Sequence, residues 1–140
     1  MQKLNQLYSK LYEDDIYFFD YRIHGEEKAA VIESNNNYGI FVDYTKIDSF
    51  SDELSILAHE YGHIKTGATH RTYSPLELVA KNEYRANKYA VKMLIPISKL
   101  KSAFLHGVCE TWELAEHFEV TEDFIHTALY IYHCMGLLPI

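Results

Sequence analysis

The chain has 140 residues, and nearly half of them are hydrophobic, so it can bury a core and is not a disordered protein. A formal net charge of −7 gives no general electrostatic reason to bind nucleic acid or anionic lipid. No apolar run approaches the length of a membrane span, and the first residues lack the charged-then-apolar layout of a signal peptide. Cys109 and Cys134 are the two cysteines and form no Cys-x-x-Cys pair, which suits a reducing compartment and core thiols over a disulfide. A cytoplasmic location is the expectation. Twelve tyrosines suggest an aromatic core.

The elements follow in chain order. Leu4, Leu7, Tyr8 and Leu11 have the spacing of one buried helix face, predicting a helix from about Lys3 to Glu13. Aromatic and β-branched runs come next, Ile16–Ile23, Ala29–Ile32 and Tyr38–Tyr44, with a polar hairpin turn at Ser34–Asn37. They predict a small antiparallel sheet of about three strands. Ser51 is a plausible N-cap, and Leu54, Leu57, Ala58, Tyr61 and Ile64 carry a helix on to a stop at Gly67. Ser74–Pro75 then opens a second helix, limited by Pro96.

The first of these two helices carries His59-Glu60-Tyr61-Gly62-His63. Residues four apart share one helix face, so both imidazoles can grip one metal ion, with the glutamate placed to act on a water there. This is the H-E-x-x-H pattern of zinc peptidases, with Glu60 as general base. Histidines that merely face solvent or the core of an ordinary helix are the bland alternative, and the context of the motif argues against it. Zinc takes about four ligands, one left to water at a catalytic site, so a third protein ligand is required.

Three downstream residues are candidates for that ligand. His70 stands one residue later than the H-E-x-x-H-x-x-G-x-x-H register demands, as does Gly67. Glu77 lies near a helix start, where a glutamate has an ordinary role against the helix dipole. Glu83 lies mid-helix with Ala86 and Ala90 at i+3 and i+7, small residues that let the two helices approach closely, and it is favoured.

Two stretches carry a family likeness. His59-Glu-Tyr-Gly-His-Ile-Lys-Thr-Gly67 is followed in order by Asn82-Glu-Tyr-Arg-Ala-Asn-Lys-Tyr-Ala-Val-Lys-Met-Leu-Ile-Pro96. Together they resemble the ImmA/IrrE family of bacterial and phage metallopeptidases, most strongly over residues 53–96. Tyr89 stands where that family often has phenylalanine. By position, the resemblance implies His59, His63 and Glu83 as Zn2+ ligands and Glu60 as the catalytic glutamate. It implies a gluzincin-like fold with a sheet edge beside the metal. It also implies a role in relieving repression by cleaving, or otherwise inactivating, a helix-turn-helix repressor encoded nearby. Tyr38–Tyr44 is the strand expected to bind an extended peptide, and His70, Arg71 and Tyr73 are candidates to stabilise the oxyanion.

The C-terminal stretch from Trp112 to Leu129 has a helix-turn-helix look, with a turn at Glu119–Thr121 and Thr121 as N-cap. From Gly107 to Ile140 it carries Glu110, Glu113, Glu116, Glu119, Glu122 and Asp123 and no lysine or arginine, so it should repel DNA. A helical pair packed on the rest, or docking a partner, is the better reading. His117, His126 and His133 lack the i, i+4 spacing and are expected on the surface or in the core.

The sequence therefore predicts one α+β domain over residues 1–140. An N-terminal helix and sheet occupy about 1–48, the metal-binding helices about 51–95, and a helical part about 97–140. The expected activity is zinc-dependent endopeptidase action on a specific protein. A zinc-containing module that inactivates its repressor without cutting it is the alternative.

Overall fold

The computed structural model describes residues 1–67 and 76–139. Helix α1 spans Gln2–Glu13 and buries Leu4, Leu7 and Leu11. Three strands follow: β1 (Tyr17–Asp20), β2 (Ala29–Ser34) and β3 (Asn37–Val42). A 3-10 turn at Tyr44–Lys46 leads to α2 (Phe50–Thr66) and α3 (Leu76–Leu94). The chain closes with α4 (Ile97–Leu105), α5 (Thr111–Phe118) and α6 (Glu122–Cys134). The architecture is α+β, as the hydrophobic periodicities predict.

The sheet differs from expectation in one direction. Its order is β1-β3-β2, with β2 and β3 antiparallel but β1 and β3 parallel, so it is mixed. The hairpin explains half of this. Asn35 and Asn36 both take positive φ (51° and 65°), the backbone of a tight two-residue turn that matches strand twist. The other half comes from residues 21–28, which carry the chain past the position of β3, so that β3 inserts between its two predecessors. Local sequence specifies the hairpin but not which side of β1 it will occupy. Because β3 is paired on both sides, Tyr38–Tyr44 cannot be the strand that receives a peptide. The free edges belong to β1 and β2.

One face of the sheet is buried by Ala29, Ile40 and Val42, which join Leu7, Leu11, Leu54, Leu57, Val91, Leu100, Leu114, Ile125 and Ile131 in a common core. The core is largely aliphatic. Tyr61 and Tyr132 are buried, while Tyr12, Tyr17, Tyr21 and Tyr130 are exposed, so tyrosine abundance does not translate into an aromatic interior. Phe19, Tyr21 and Phe41 pack against one another instead on the outer sheet face. Both cysteines are free and exposed, against the expectation of core thiols. Cys109 lies in the loop between α4 and α5, and Cys134 is the last residue of α6.

Helix α2 starts earlier than the Ser51 cap predicts. Ser49 is the N-cap, its hydroxyl accepting from the Asp52 amide at 3.1 Å, while the Asp52 carboxylate accepts from the Asp48 amide at 3.1 Å. The Ser49 hydroxyl thus satisfies one donor that the first turn leaves open, and Asp52 ties down the amide just before the cap. Gly67 ends the helix in the left-handed conformation (φ 65°), as expected of a glycine stop. The proposed Ser74–Pro75 start of α3 lies outside the described residues.

The C-terminal pair is part of the core and not an appended reader head. Leu114, Ala115 and Phe118 of α5 and Phe124, Ile125 and Ala128 of α6 are all buried. Thr121 caps α6, accepting from the Phe124 amide at 3.1 Å, and the Thr121 amide donates to Ser55 Oγ of α2 at 3.3 Å. That contact brings the start of α6 beside the motif helix. His117, His126 and His133 are all exposed. Among the described residues, no helix is long and apolar enough to cross a membrane.

Candidate metal centre

Close packing of α2 on α3 creates the site. Ala86 and Ala90 are fully buried at the crossing. A Cβ on Gly62 would lie 2.3 Å from the Ala86 carbonyl oxygen, far inside van der Waals contact. Only glycine fits there. Gly62 sits between Glu60 and His63, and Ala86 sits between Glu83 and Asn87, so the closest backbone approach lies at the level of the chemistry.

At this crossing three donor groups converge. Glu83 Oε2 lies 2.7 Å from His59 Nε2, Glu83 Oε1 lies 3.0 Å from His63 Nε2, and the two Nε2 atoms are 3.1 Å apart. Such a triangle is close to the donor separation of about 3.3 Å that tetrahedral zinc with bonds near 2.0–2.1 Å requires. Two imidazoles and a carboxylate could hold a divalent first-row ion. His63 is buried at 8 % side-chain exposure, while Glu83 at 40 % is partly open to solvent. The donor set is thus anchored inside and accessible outside.

The other nitrogen of His59 is also used. Nδ1 lies 2.6 Å from Asn87 Oδ1, and since a carboxamide oxygen only accepts, Nδ1 carries the proton and Nε2 is left free for a metal. Asn87 follows Glu83 by four residues and so shares its face of α3. Its contact with His59 was not assigned from sequence, although the i, i+4 spacing would have exposed it. Replacing Asn87 by leucine should weaken zinc binding about 10- to 100-fold, the usual cost of losing such an outer partner, as read by competition with a chromophoric chelator.

The electrostatics are those of a tightly hydrogen-bonded cluster of imidazoles and carboxylates. Hydrogen bonds from His59 and His63 hold the Glu83 carboxyl far below the usual carboxylate range. Burial pushes the His59 pKa down, but hydrogen bonding to Glu83 and the charges of Glu60 and Glu83 outweigh it, and the net direction is upward. Glu60 moves upward too, chiefly by desolvation, with opposition from the two histidines and reinforcement from Glu83 and Glu27.

These shifts give opposite pH dependences with and without metal. In the metal-free chain the raised His59 value stabilises the fold below the ordinary histidine pKa of about 6.5, and this contribution fades as pH rises through the elevated value. A metal requires the deprotonated imidazole, so metal-linked stability grows over the same interval. Thermal melts at pH about 6 and about 8, with chelator and with zinc, should therefore move in opposite directions. Parallel shifts would show that His59 is not a metal donor.

A cleft of about 480 Å³ opens beside His59 and Glu60. One lip is residues 26–28 with Ala29 at the start of β2, and the other is the first turns of α6, including Asp123, Phe124 and Thr127. The free edge strand next to the chemistry is therefore β2, in place of the strand expected from sequence. Its lip is fixed from below. Lys46 Nζ donates to the carbonyls of Ile23, Gly25 and Glu27 at 2.6, 2.7 and 2.8 Å. Asp43, 2 % exposed, accepts from the amides of Ile23 and Thr45 at 3.0 and 3.1 Å. Its carboxyl is held down at about 2, first by the Thr45 hydroxyl and then by the Ile23 amide.

Of the remaining sequence candidates, His70, Arg71 and Tyr73 lie outside the described residues, as does the side chain of Glu77. A family model described as Peptidase M78, the IrrE N-terminal-like domain, matches residues 5–130. The chain belongs to this metallopeptidase family. The match covers α1, the sheet, both motif helices and most of the C-terminal pair, so the family includes the whole scaffold around the cleft. Comparison with curated proteins and with solved structures returned no match. Membership makes the chain a peptidase in general terms, and the His59, His63 and Glu83 donors supply a group able to hold the metal such chemistry uses.

Proposed function

We propose that the protein is a cytoplasmic zinc-dependent endopeptidase that cuts a specific protein, a helix-turn-helix transcriptional repressor encoded nearby, and so relieves repression. The observation that carries the reading is the convergence of His59 Nε2, His63 Nε2 and a Glu83 carboxylate beside a cleft whose wall includes Glu60. The repressor as substrate is suggested by the ImmA/IrrE resemblance.

When bound at these donors, zinc supplies a Lewis acid and a water of lowered pKa. The rest is the work of the chain. Glu60, partly desolvated and in the cleft wall, takes a proton from the attacking water and passes it to the leaving amine. Asn87 fixes the His59 ring through Nδ1. The edge of β2 offers backbone donors and acceptors on which an extended peptide can lie as an added strand.

The test is intact-mass analysis of the repressor co-expressed with wild-type protein and, separately, with Glu60→Gln. Discrete fragments with wild type alone are expected, and their masses locate the cut. An intact repressor in both, with derepression still observed, would replace the peptidase reading by one of inactivation through binding.

A further inference from the structure

The proposed peptidase reading leaves open what kind of side chain the cleft accepts, and its lining bears on this. Four carboxylates besides Glu60 line it, from Glu26, Glu27, Asp52 and Asp123, against one lysine, Lys28. Lys28 is already engaged, its Nζ lying 3.0 Å from Asp52 Oδ2 and 3.9 Å from Asp48 Oδ2. Among the described residues, no cation is paired with Glu26, Glu27 or Asp123 within ion-pair distance. Glu27 and Asp123 come from opposite lips, the loop before β2 and the first turn of α6. Glu27 lines the same cleft as Glu60. Ala29, Ile56 and Phe124 add apolar surface to the same lining.

A cleft lined by both apolar surface and carboxylates suits a long aliphatic stem that ends in a cation. The volume of about 480 Å³ admits such a side chain together with a stretch of peptide backbone. The Lys46 and Asp43 clamp holds the Glu26–Glu27 lip in place, so the rim is formed before a ligand arrives. We infer that the cleft selects substrates with a lysine or arginine beside the scissile bond, and that Glu27 and Asp123 are the specificity-determining residues that receive its charge. This inference rests on the peptidase reading for the word substrate, but the selectivity itself is a binding property.

Fluorescence anisotropy tests it, using zinc-loaded Glu60→Gln protein and labelled peptides of one length that differ only in a central Arg, Gln or Glu. The Arg peptide should bind about tenfold tighter than the Gln peptide near 50 mM salt, with the Glu peptide weakest and the spread shrinking near 500 mM. Adding Glu27→Gln, alone and with Asp123→Asn, should reduce and then remove the preference. Equal affinity for all three peptides, absence of binding by any, or a preference that survives the double substitution overturns the inference. Selective binding without any cleavage by wild type would count against the peptidase reading alone, because selectivity would stand without catalysis.

Discussion

Glu60→Gln is expected to lower peptide-bond hydrolysis about 10²- to 10⁴-fold while leaving zinc content unchanged. The asymmetry follows from geometry. His59, His63 and Glu83 bring their donor atoms together without any contribution from Glu60, so the amide variant keeps all three. What it loses is a base: a carboxamide cannot accept the proton of the attacking water or carry it to the amine. The substitution is nearly isosteric and falls at a half-buried position, so the helix should persist. The charge of Glu60 also helps to raise His59, and its removal should ease His59 deprotonation and make metal loading slightly less sensitive to acid. Steady-state cleavage of a peptide substrate, paired with elemental analysis, measures both sides. Wild-type turnover in the Gln variant would remove Glu60 from the mechanism. A loss of zinc along with activity would make its role structural.

Gly62→Ala is the second large expected effect, and it acts through packing. The new methyl group would meet the Ala86 carbonyl oxygen at 2.3 Å, its carbon at 3.0 Å and its Cα at 3.1 Å. All three are backbone atoms, so no rotamer change relieves the clash and α3 must move away from α2. Overpacking of this kind costs about 1–3 kcal/mol. Glu83 and Asn87 flank Ala86, so the same displacement draws the third donor and the His59 anchor away from the two histidines. Denaturant unfolding should show the destabilisation, and zinc affinity should fall at least about tenfold. Unchanged stability and metal affinity would mean that the helices tolerate a wider crossing than the one observed.

The sequence alone was a good guide wherever chemistry depends on local spacing. The i, i+4 histidines, the glutamate between them, the Gly67 stop and the Thr121 cap are properties of single helices, and single-helix periodicity is written in neighbouring residues. The hairpin was legible for the same reason, since Asn35 and Asn36 adopt the positive φ that a tight turn needs. The association of Glu83 with the motif also had a local sign, the small Ala86 and Ala90 on its helix.

Only the tertiary structure decided how these pieces meet. Whether β3 lies at an edge or in the middle depends on the route of residues 21–28 across the sheet, and no periodicity encodes a route. The choice of β2 as the free edge beside the chemistry, with its clamp of Lys46 on three carbonyls, follows from that route. The necessity of Gly62 is equally invisible locally, because a glycine in mid-helix is costly by propensity and finds its reason in the backbone of another helix. The acidic cleft joins residues nearly a hundred positions apart, Glu27 and Asp123, each of which reads alone as an ordinary surface acid. The residue types capable of the chemistry are fixed by short-range order along the chain, while access, donor distances and the charge a substrate meets arise from long-range packing, which sets atoms from distant segments against one another.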